Sequence, residues 1–271
     1  MYELTISNQK EKLKFMEFAY EKLKPHVENS KGLIVFESVG DRSNISLAVP
    51  NNQKSFYKAF TLELVSEIMV MDYKYDYLKN HLSSKIENQG LWIGFLKALT
   101  VFDKQTDKEL VKKNLSFENE ILIDSAYHFK MWELLARWKE ITELVSENLA
   151  SLAAKNSFMD LLRFLIVASD SEADTVYVKN CKNNVKVMIN NEKIAKNLCF
   201  LENDTDVTER IIAELICLNP RQIVIDLPQD YDKLIDNVNK IFPSKVSVIH
   251  SYKSDENYEK SVDNTASRVY T

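Results

Sequence analysis

The hydrophobic pattern of this chain changes repeatedly between the two-residue period of strands and the 3.6-residue period of helices, and this limits the possible fold classes. In the first third the order is strand, helix, strand, strand, helix, at residues 2–6, 10–23, 32–36, 45–49 and 51–71. Gly40-Asp41-Arg42 has the turn chemistry of a hairpin between the second and third strands. Pro25 is expected to end the first helix. This order predicts a small N-terminal βαββα unit over residues 1–82.

Helical periodicity dominates the middle of the chain. Residues 83–115 are expected to be helical, and residues 120–124 have the pattern of a short strand. A long helix should then run from about residue 125 to 149. Four large apolar side chains recur along it at near-helical spacing: Phe129, Trp132, Leu135 and Trp138. We expect this helix to be a central packing element with Trp132 buried.

Short strands return in the last third. A hairpin is expected from residues 174–178 and 185–189. Residues 221–226 and 245–250 have strand character and flank a helical stretch, which predicts a βαβ ending with parallel strands. After Tyr252 the chain is almost entirely polar.

The order of elements predicts an α+β fold with an N-terminal βαββα unit, a helical middle and a C-terminal mixed sheet that ends in a βαβ unit. The expected organisation is an N-terminal unit at residues 1–82, a helical and α/β region at 83–252, and a mobile polar tail at 253–271.

Charge and hydropathy exclude several classes of function. The chain has 35 Lys and Arg residues against 40 Asp and Glu residues, a net charge of −5, which disfavours nucleic-acid binding because such proteins carry a basic surplus. No apolar run approaches the length of roughly 18 residues that a membrane span needs. The acidic residue Glu3 lies where a signal peptide would be basic. We therefore expect a cytoplasmic protein that does not associate with membranes.

Cofactor and metal sites leave recognisable spacings, and we expect none here. Cys181, Cys199 and Cys217 form no CxxC pair, and the four histidines show no HExxH pattern. Neither GxGxxG nor GxxxxGK[ST] occurs in a chain with only 4 glycines. The sequence therefore predicts no bound metal and no organic cofactor.

Asp226 and His250 are the only catalytic candidates, because each lies at the end of a predicted strand. If the two strands are parallel neighbours, both side chains lie at the sheet edge where ligands of open α/β sheets collect. A carboxylate there could orient a histidine for acid–base chemistry. The alternative is that both are ordinary polar residues at strand ends.

Alternating tyrosines are a second candidate feature. Tyr73, Tyr75 and Tyr77 alternate with charged residues, a pattern that can stack bases of single-stranded nucleic acid. On a helix this alternation puts the rings on different faces, which favours an amphipathic helix end.

Four segments follow one another in the order found in one known family: residues 121–131, 158–167, 174–179 and 211–225. The first segment is similar to a strand followed by an aromatic helix, and the second and third are similar to a helix followed by a strand. The fourth is similar to an apolar helix that ends at a proline before another strand. In this order they resemble the YtxC-like family of proposed sporulation proteins, over about residues 120–250. Ser125-Ala126 and Phe129-Lys130-Met131 stand where the family has Gly-Phe and Phe-Arg-Leu.

The resemblance implies an endospore-forming bacterium and a cytosolic protein, and it carries over no catalytic residue. The predicted function is a non-enzymatic interaction or regulatory protein linked to sporulation, with a protein partner. The alternative is a hydrolase-like enzyme at Asp226 and His250. The sequence leaves the oligomeric state open.

Overall fold

In the computed structural model the described residues are 1–86, 91–148, 155–181, 184–189, 192–193 and 206–249. They form two mixed β-sheets joined by helices, which confirms the predicted α+β fold. The helices are α1 (Leu13–Asn29), α2 (Lys54–Ile68), α3 (Lys74–Ile86), α4 (Trp92–Val101), α5 (Lys104–Asn114), α6 (Ile123–Lys130), α7 (Trp132–Glu147), α8 (Lys155–Ala168), α9 (Val207–Leu218) and α10 (Asp232–Ile241).

The first sheet has four strands: β1 (Tyr2–Gln9), β2 (Leu33–Val39), β3 (Arg42–Val49) and β4 (Glu120–Leu122). Their order is β2-β3-β1-β4, with β1 antiparallel to β3 and parallel to β4. Tyr2, Leu4 and Ile6 alternate with polar residues, so one face of β1 enters the core. The predicted hairpin of β2 and β3 is confirmed, with Gly40 at φ 62° in its turn.

Two helix boundaries differ from the prediction. Helix α1 continues past Pro25 to Asn29, because Met16, Leu23 and Val27 share one buried face and packing outweighs the hydrogen bond that proline cannot donate. Between α2 and α3 the chain does not leave the helical path but widens into a π-helical segment, Met69–Tyr73.

The second sheet has five strands: β5 (Thr175–Cys181), β6 (Asn184–Ile189), β7 (Glu192–Lys193), β8 (Gln222–Asp226) and β9 (Val246–Val248). Their order is β7-β6-β5-β8-β9. The predicted hairpin of β5 and β6 is confirmed, and so is the parallel β8-α10-β9 ending.

Helix α4 passes close to α9, because Gly94 brings no side chain to the contact. A Cβ atom at Gly94 would lie 3.2 Å from Ile216 Cδ1 and 3.3 Å from Ile212 Cγ2. Both isoleucines are fully buried, so the packing of α4 on α9 belongs to the apolar core.

The first sheet takes β4 from beyond residue 82, so its hydrogen bonds cross the predicted unit boundary. The division of the chain into an N-terminal unit at 1–82 and a second region at 83–252 stays a prediction. The predicted tail, 253–271, lies outside the described residues.

Candidate functional site: the aromatic helix junction

Asp226, one of the two predicted catalytic residues, ends β8 and is half-buried. Strand β9 lies beside β8, and the Ile249 backbone N–H donates to the Ile225 carbonyl oxygen at 2.8 Å. His250 lies outside the described residues. The juxtaposition of Asp226 and His250 therefore stays a prediction.

The cysteines and histidines that the structure describes lie apart. Cys181 is half-buried and Cys217 is buried, while Cys199 lies outside the described residues. His26, His81 and His128 are on the surface. Across the described ranges, no three His, Cys, Asp or Glu residues are grouped so that they could hold a metal ion. No helix in those ranges combines the length and apolarity that crossing a membrane requires.

Among the described residues, the two most exposed aromatic side chains lie where α6 meets α7. Phe129 is 85% exposed and Trp132 is 69% exposed, so the expectation that Trp132 is buried was wrong. The predicted helix over 125–149 is two helices that meet at Met131, which is fully buried with φ −102° and ψ 31°. Within α7 the six positions from Trp132 to Trp138 put the two side chains about 120° apart around the helix axis, so Trp138 enters the core while Trp132 faces outward.

An ion pair fixes the N-terminal end of α6. The Arg42 guanidinium donates to both carboxylate oxygens of Asp124, at 2.6 and 3.3 Å, and its Nε donates to Ser7 Oγ at 2.7 Å. Burial would raise the pKa of Asp124, but the hydrogen bonds and charge of Arg42 hold it below its ordinary value. The β2–β3 hairpin is thereby tied to α6.

A stack of aromatic rings holds the inner face of α6. The Tyr127 ring centroid lies 4.6 Å from that of Tyr73 and 6.1 Å from that of Trp138. The Tyr73 hydroxyl donates to Asn8 Oδ1 at 2.6 Å. Burial raises the pKa of Tyr127 to about 12 and also raises the pKa of Tyr73, so both phenols are neutral.

A buried charge pair holds the inner face of α7. Asp107 Oδ2 accepts from Lys74 Nζ at 2.7 Å and from Trp138 Nε1 at 3.0 Å, and Arg137 Nε donates to its other oxygen at 3.3 Å. Burial lowers the pKa of Lys74, and the charge of Asp107 opposes that shift. Because both members of the pair are buried, the contact joins α3, α5 and α7 in one arrangement.

A second polar group lies along the π-helical segment. Lys12 Nζ is bonded to Asp72 Oδ1 at 2.9 Å and also to the Asp76 carboxylate. Burial raises the pKa of Asp72 to about 6, although Lys12 opposes the shift. Asp72 Oδ2 and Asn8 Nδ2 are buried without a hydrogen-bond partner among the described residues.

Contacts on the outer side complete the support of the junction. Lys130 Nζ donates to the Ser116 carbonyl oxygen at 3.3 Å. Glu133, in the first turn of α7, accepts from Lys113 Nζ at 3.3 Å and from Asn114 Nδ2 at 3.5 Å. The residues on either side of Phe129 and Trp132 are thus tied to α5 and to the loop after it.

A groove of about 320 Å³ lies between α3 and α7. His81 stacks on Tyr77 with ring centroids 4.1 Å apart, and its Nδ1 donates to the Tyr77 carbonyl oxygen at 2.7 Å. Lys139 and Glu143 on the opposite wall form an ion pair at 3.6 Å.

The three alternating tyrosines do not form a surface stack. Tyr73 is buried under Tyr127, Tyr77 stacks on His81, and Lys97 Nζ lies 3.8 Å from the Tyr75 ring centroid. Their rings contribute to helix packing, as their alternation on a helix predicts.

Sequence reasoning found Phe129, Trp132 and Trp138 but not the groups that position them. Arg42 and Asp124 are 82 residues apart, and Lys74 and Asp107 are 33 apart. The one available signal was charge within an apolar stretch, as in Met69-Val70-Met71-Asp72-Tyr73-Lys74.

Fold and site together define an α+β protein with two exposed aromatic side chains on a buried polar framework. Within that class the chain belongs to the YtxC-like family, whose sequence model matches residues 56–247, and this confirms the predicted membership. The matched range extends from α2 to β9 and includes the whole α6–α7 junction. No curated protein and no solved structure matches the chain.

Proposed function

We propose that this protein is a non-enzymatic cytoplasmic interaction or regulatory protein of sporulation, and that the α6–α7 junction binds a protein partner. The observation that carries the proposal is the exposure of Phe129 and Trp132 on either side of a helix break. Phe129 and Trp132 are three positions apart in the chain, so their Cα atoms lie within roughly 11 Å and one partner surface can cover both side chains.

The energy available from such a contact is large. Phe and Trp bury about 150–250 Å² each, so covering the exposed parts of these two rings would remove roughly 300 Å² of apolar surface from water. At about 25 cal/mol per Å² this is a gross gain of roughly 7 kcal/mol, before the cost of association. Exposed aromatic anchors of this kind dominate the energy of protein–protein contacts.

The framework below the junction supports the proposal in a second way. Arg42, Asp124 and Tyr127 fix α6, while Asp107 and Trp138 fix α7. A rigid platform lowers the entropy cost of binding, because the two anchors are already in position. An exposed aromatic side chain without such support would have to become ordered on binding, so the same contact would contribute less to the binding free energy.

The test is complementation of a deletion strain of the source bacterium. Chains carrying both Phe129→Ala and Trp132→Ala should be as abundant as the wild type and should fail to restore sporulation. Phe164→Ala, which removes an exposed phenylalanine from α8, is the matched control and should restore it. Full restoration by the double variant would contradict the proposal.

A hydrolase-like site at Asp226 and His250 is the second candidate, favoured by the parallel pairing of β8 with β9. In the same strain, Asp226→Asn and His250→Ala should each abolish function if this candidate is right, while the aromatic double variant should remain active. The two candidates therefore predict opposite patterns.

A further inference from the structure

The outward face of α7 continues from Trp132 toward the C-terminal end of the helix, where it becomes acidic. At about 100° per residue, the exposed side chains of this face fall within roughly 120° of arc, opposite the buried Trp138 and Val145. The exposed side chains are those of Trp132, Ala136, Glu140, Glu143, Leu144 and Glu147. They extend over roughly 22 Å of helix at about 1.5 Å per residue. The face therefore begins at one aromatic anchor of the junction and ends among carboxylates.

The carboxylates of this face lie in positions that are unfavourable for the helix itself. Glu143 lies three positions after Glu140 and four before Glu147, spacings at which like charges on a helix repel each other. The C-terminal end of a helix carries the negative pole of its dipole, and the last turn of α7 contains no basic residue. Lys139 pairs with Glu143 at 3.6 Å, whereas Glu140 and Glu147 form no ion pair with any residue that the structure describes. A positively charged partner would reduce this repulsion.

The groove between α3 and α7 provides a place for a basic side chain at the same end of the face. The rings of Tyr77 and His81 line it together with Glu143, Glu147 and Lys139. Its volume of about 320 Å³ is within the range of pockets that take small ligands. Because Lys139 pairs with Glu143, the carboxylate that remains unpaired in the groove is that of Glu147. A guanidinium group stacks on an aromatic ring while it bonds to a carboxylate, and this groove offers both groups.

We propose that the partner covers the outward face of α7 with a basic segment, which extends from Trp132 to Glu147 and places a Lys or Arg side chain in the groove. This rests on the proposed binding of a partner at the α6–α7 junction and names the chemistry of that partner. Charge complementarity selects a basic segment, because the face carries unpaired carboxylates and the whole chain has a net charge of −5. Nucleic acid and anionic lipid would be repelled by the same carboxylates.

Removal of the two unpaired carboxylates separates partner binding from folding. Glu140→Gln combined with Glu147→Gln should leave the urea midpoint unchanged or raise it, because it relieves the repulsion along α7. The same variant should lower the enrichment of the partner from sporulating cells at least about fivefold, and its enrichment should depend less on salt between about 50 and about 300 mM than that of the wild type. Asp232→Asn with Asp236→Asn removes two exposed carboxylates from α10 and is the matched control, which should keep the wild-type enrichment.

Photocrosslinking tests the chemistry of the partner segment directly. Ala136 is exposed between Trp132 and Glu140 on the outward face, so a p-benzoylphenylalanine residue in its place lies under the proposed segment. We expect it to crosslink to a partner segment in which Lys and Arg outnumber Asp and Glu. A crosslinked segment of neutral or acidic balance, or no crosslink at this position, would overturn the proposal.

The aromatic double variant distinguishes failure of this proposal from failure of the proposed function. If Phe129→Ala with Trp132→Ala loses the partner while Glu140→Gln with Glu147→Gln keeps it at the wild-type level, the junction binds the partner and the acidic face does not. That result overturns the basic segment and leaves the proposed function standing. If the aromatic double variant also keeps the partner at the wild-type level, the proposed function itself is wrong.

Discussion

The two tryptophans of α7 lie six positions apart, and we expect opposite results when each is replaced by alanine. Trp138 has no exposed surface, and its Nε1 donates to the buried Asp107 carboxylate at 3.0 Å. Truncating a buried tryptophan costs about 3–5 kcal/mol, and a hydrogen bond to a charged group contributes about 1.5–3 kcal/mol. The two contributions overlap, so Trp138→Ala should lower the free energy of unfolding by about 5 kcal/mol.

Two further variants separate the contributions. Trp138→Phe keeps most of the ring volume and removes the indole N–H, so it should cost about 2 kcal/mol. Trp132→Ala removes a side chain that is 69% exposed and should change the free energy of unfolding by less than about 0.5 kcal/mol.

The assay is urea unfolding followed by far-UV circular dichroism, because ellipticity reports the helices and does not depend on the indole that each variant removes. Two results would mean that the Trp132 side chain is buried in the core. The first is an equal cost for Trp132→Ala and Trp138→Ala. The second is a cost for Trp132→Ala above about 2 kcal/mol, a size typical of truncation in a core rather than on a surface. Either result would refute the description of the junction.

Two other predictions concern buried charges. Burial raises the pKa of Asp72 from its ordinary 3.8 to about 6. Above pH 6 the ionised carboxylate therefore lowers the stability of the folded state by up to about 3 kcal/mol. The wild type regains this stability as the pH falls through 6 toward 4, because Asp72 becomes protonated in the folded state first. Asp72→Asn should therefore be the more stable protein in urea unfolding at about pH 7.5 and should lose that advantage at about pH 4; a difference independent of pH would contradict this. Asp107→Asn should lower the free energy of unfolding by about 3–5 kcal/mol in the same assay, because it leaves Lys74 buried without its counter-charge. The double variant Lys74→Met with Asp107→Leu removes both charges and should lower it clearly less. Equal losses for the two variants would contradict a paired charge.

Local pattern was sufficient for most strands and helices. The hairpin of β2 and β3 could be predicted because strand periodicity and turn residues occur within about twenty positions. The parallel pair of β8 and β9 could be predicted because one helix separates two apolar runs. The pairing of β1 with β4 could not, since β4 begins only at Glu120, after five helices, and is too short to specify a partner strand.

The junction could be predicted only in part. Neither glycine nor proline marks the break at Met131, so the local pattern predicts one continuous helix. The exposure of Trp132 was predictable, because at 3.6 residues per turn its position lies about 120° from that of Trp138. The break depends on tertiary contacts, because Asp124 is held by Arg42 from β3 and Trp138 by Asp107 from α5. Such contacts between distant residues leave no trace in a local pattern.

Quantitative co-purification from sporulating cells tests the central claim most directly. The wild-type chain and Phe164→Ala should enrich the same protein partner, and the double variant Phe129→Ala with Trp132→Ala should lose at least nine-tenths of that enrichment at equal abundance and with an unchanged far-UV spectrum. Retention of the partner by the double variant at the wild-type level would contradict the claim that the α6–α7 junction is the binding surface.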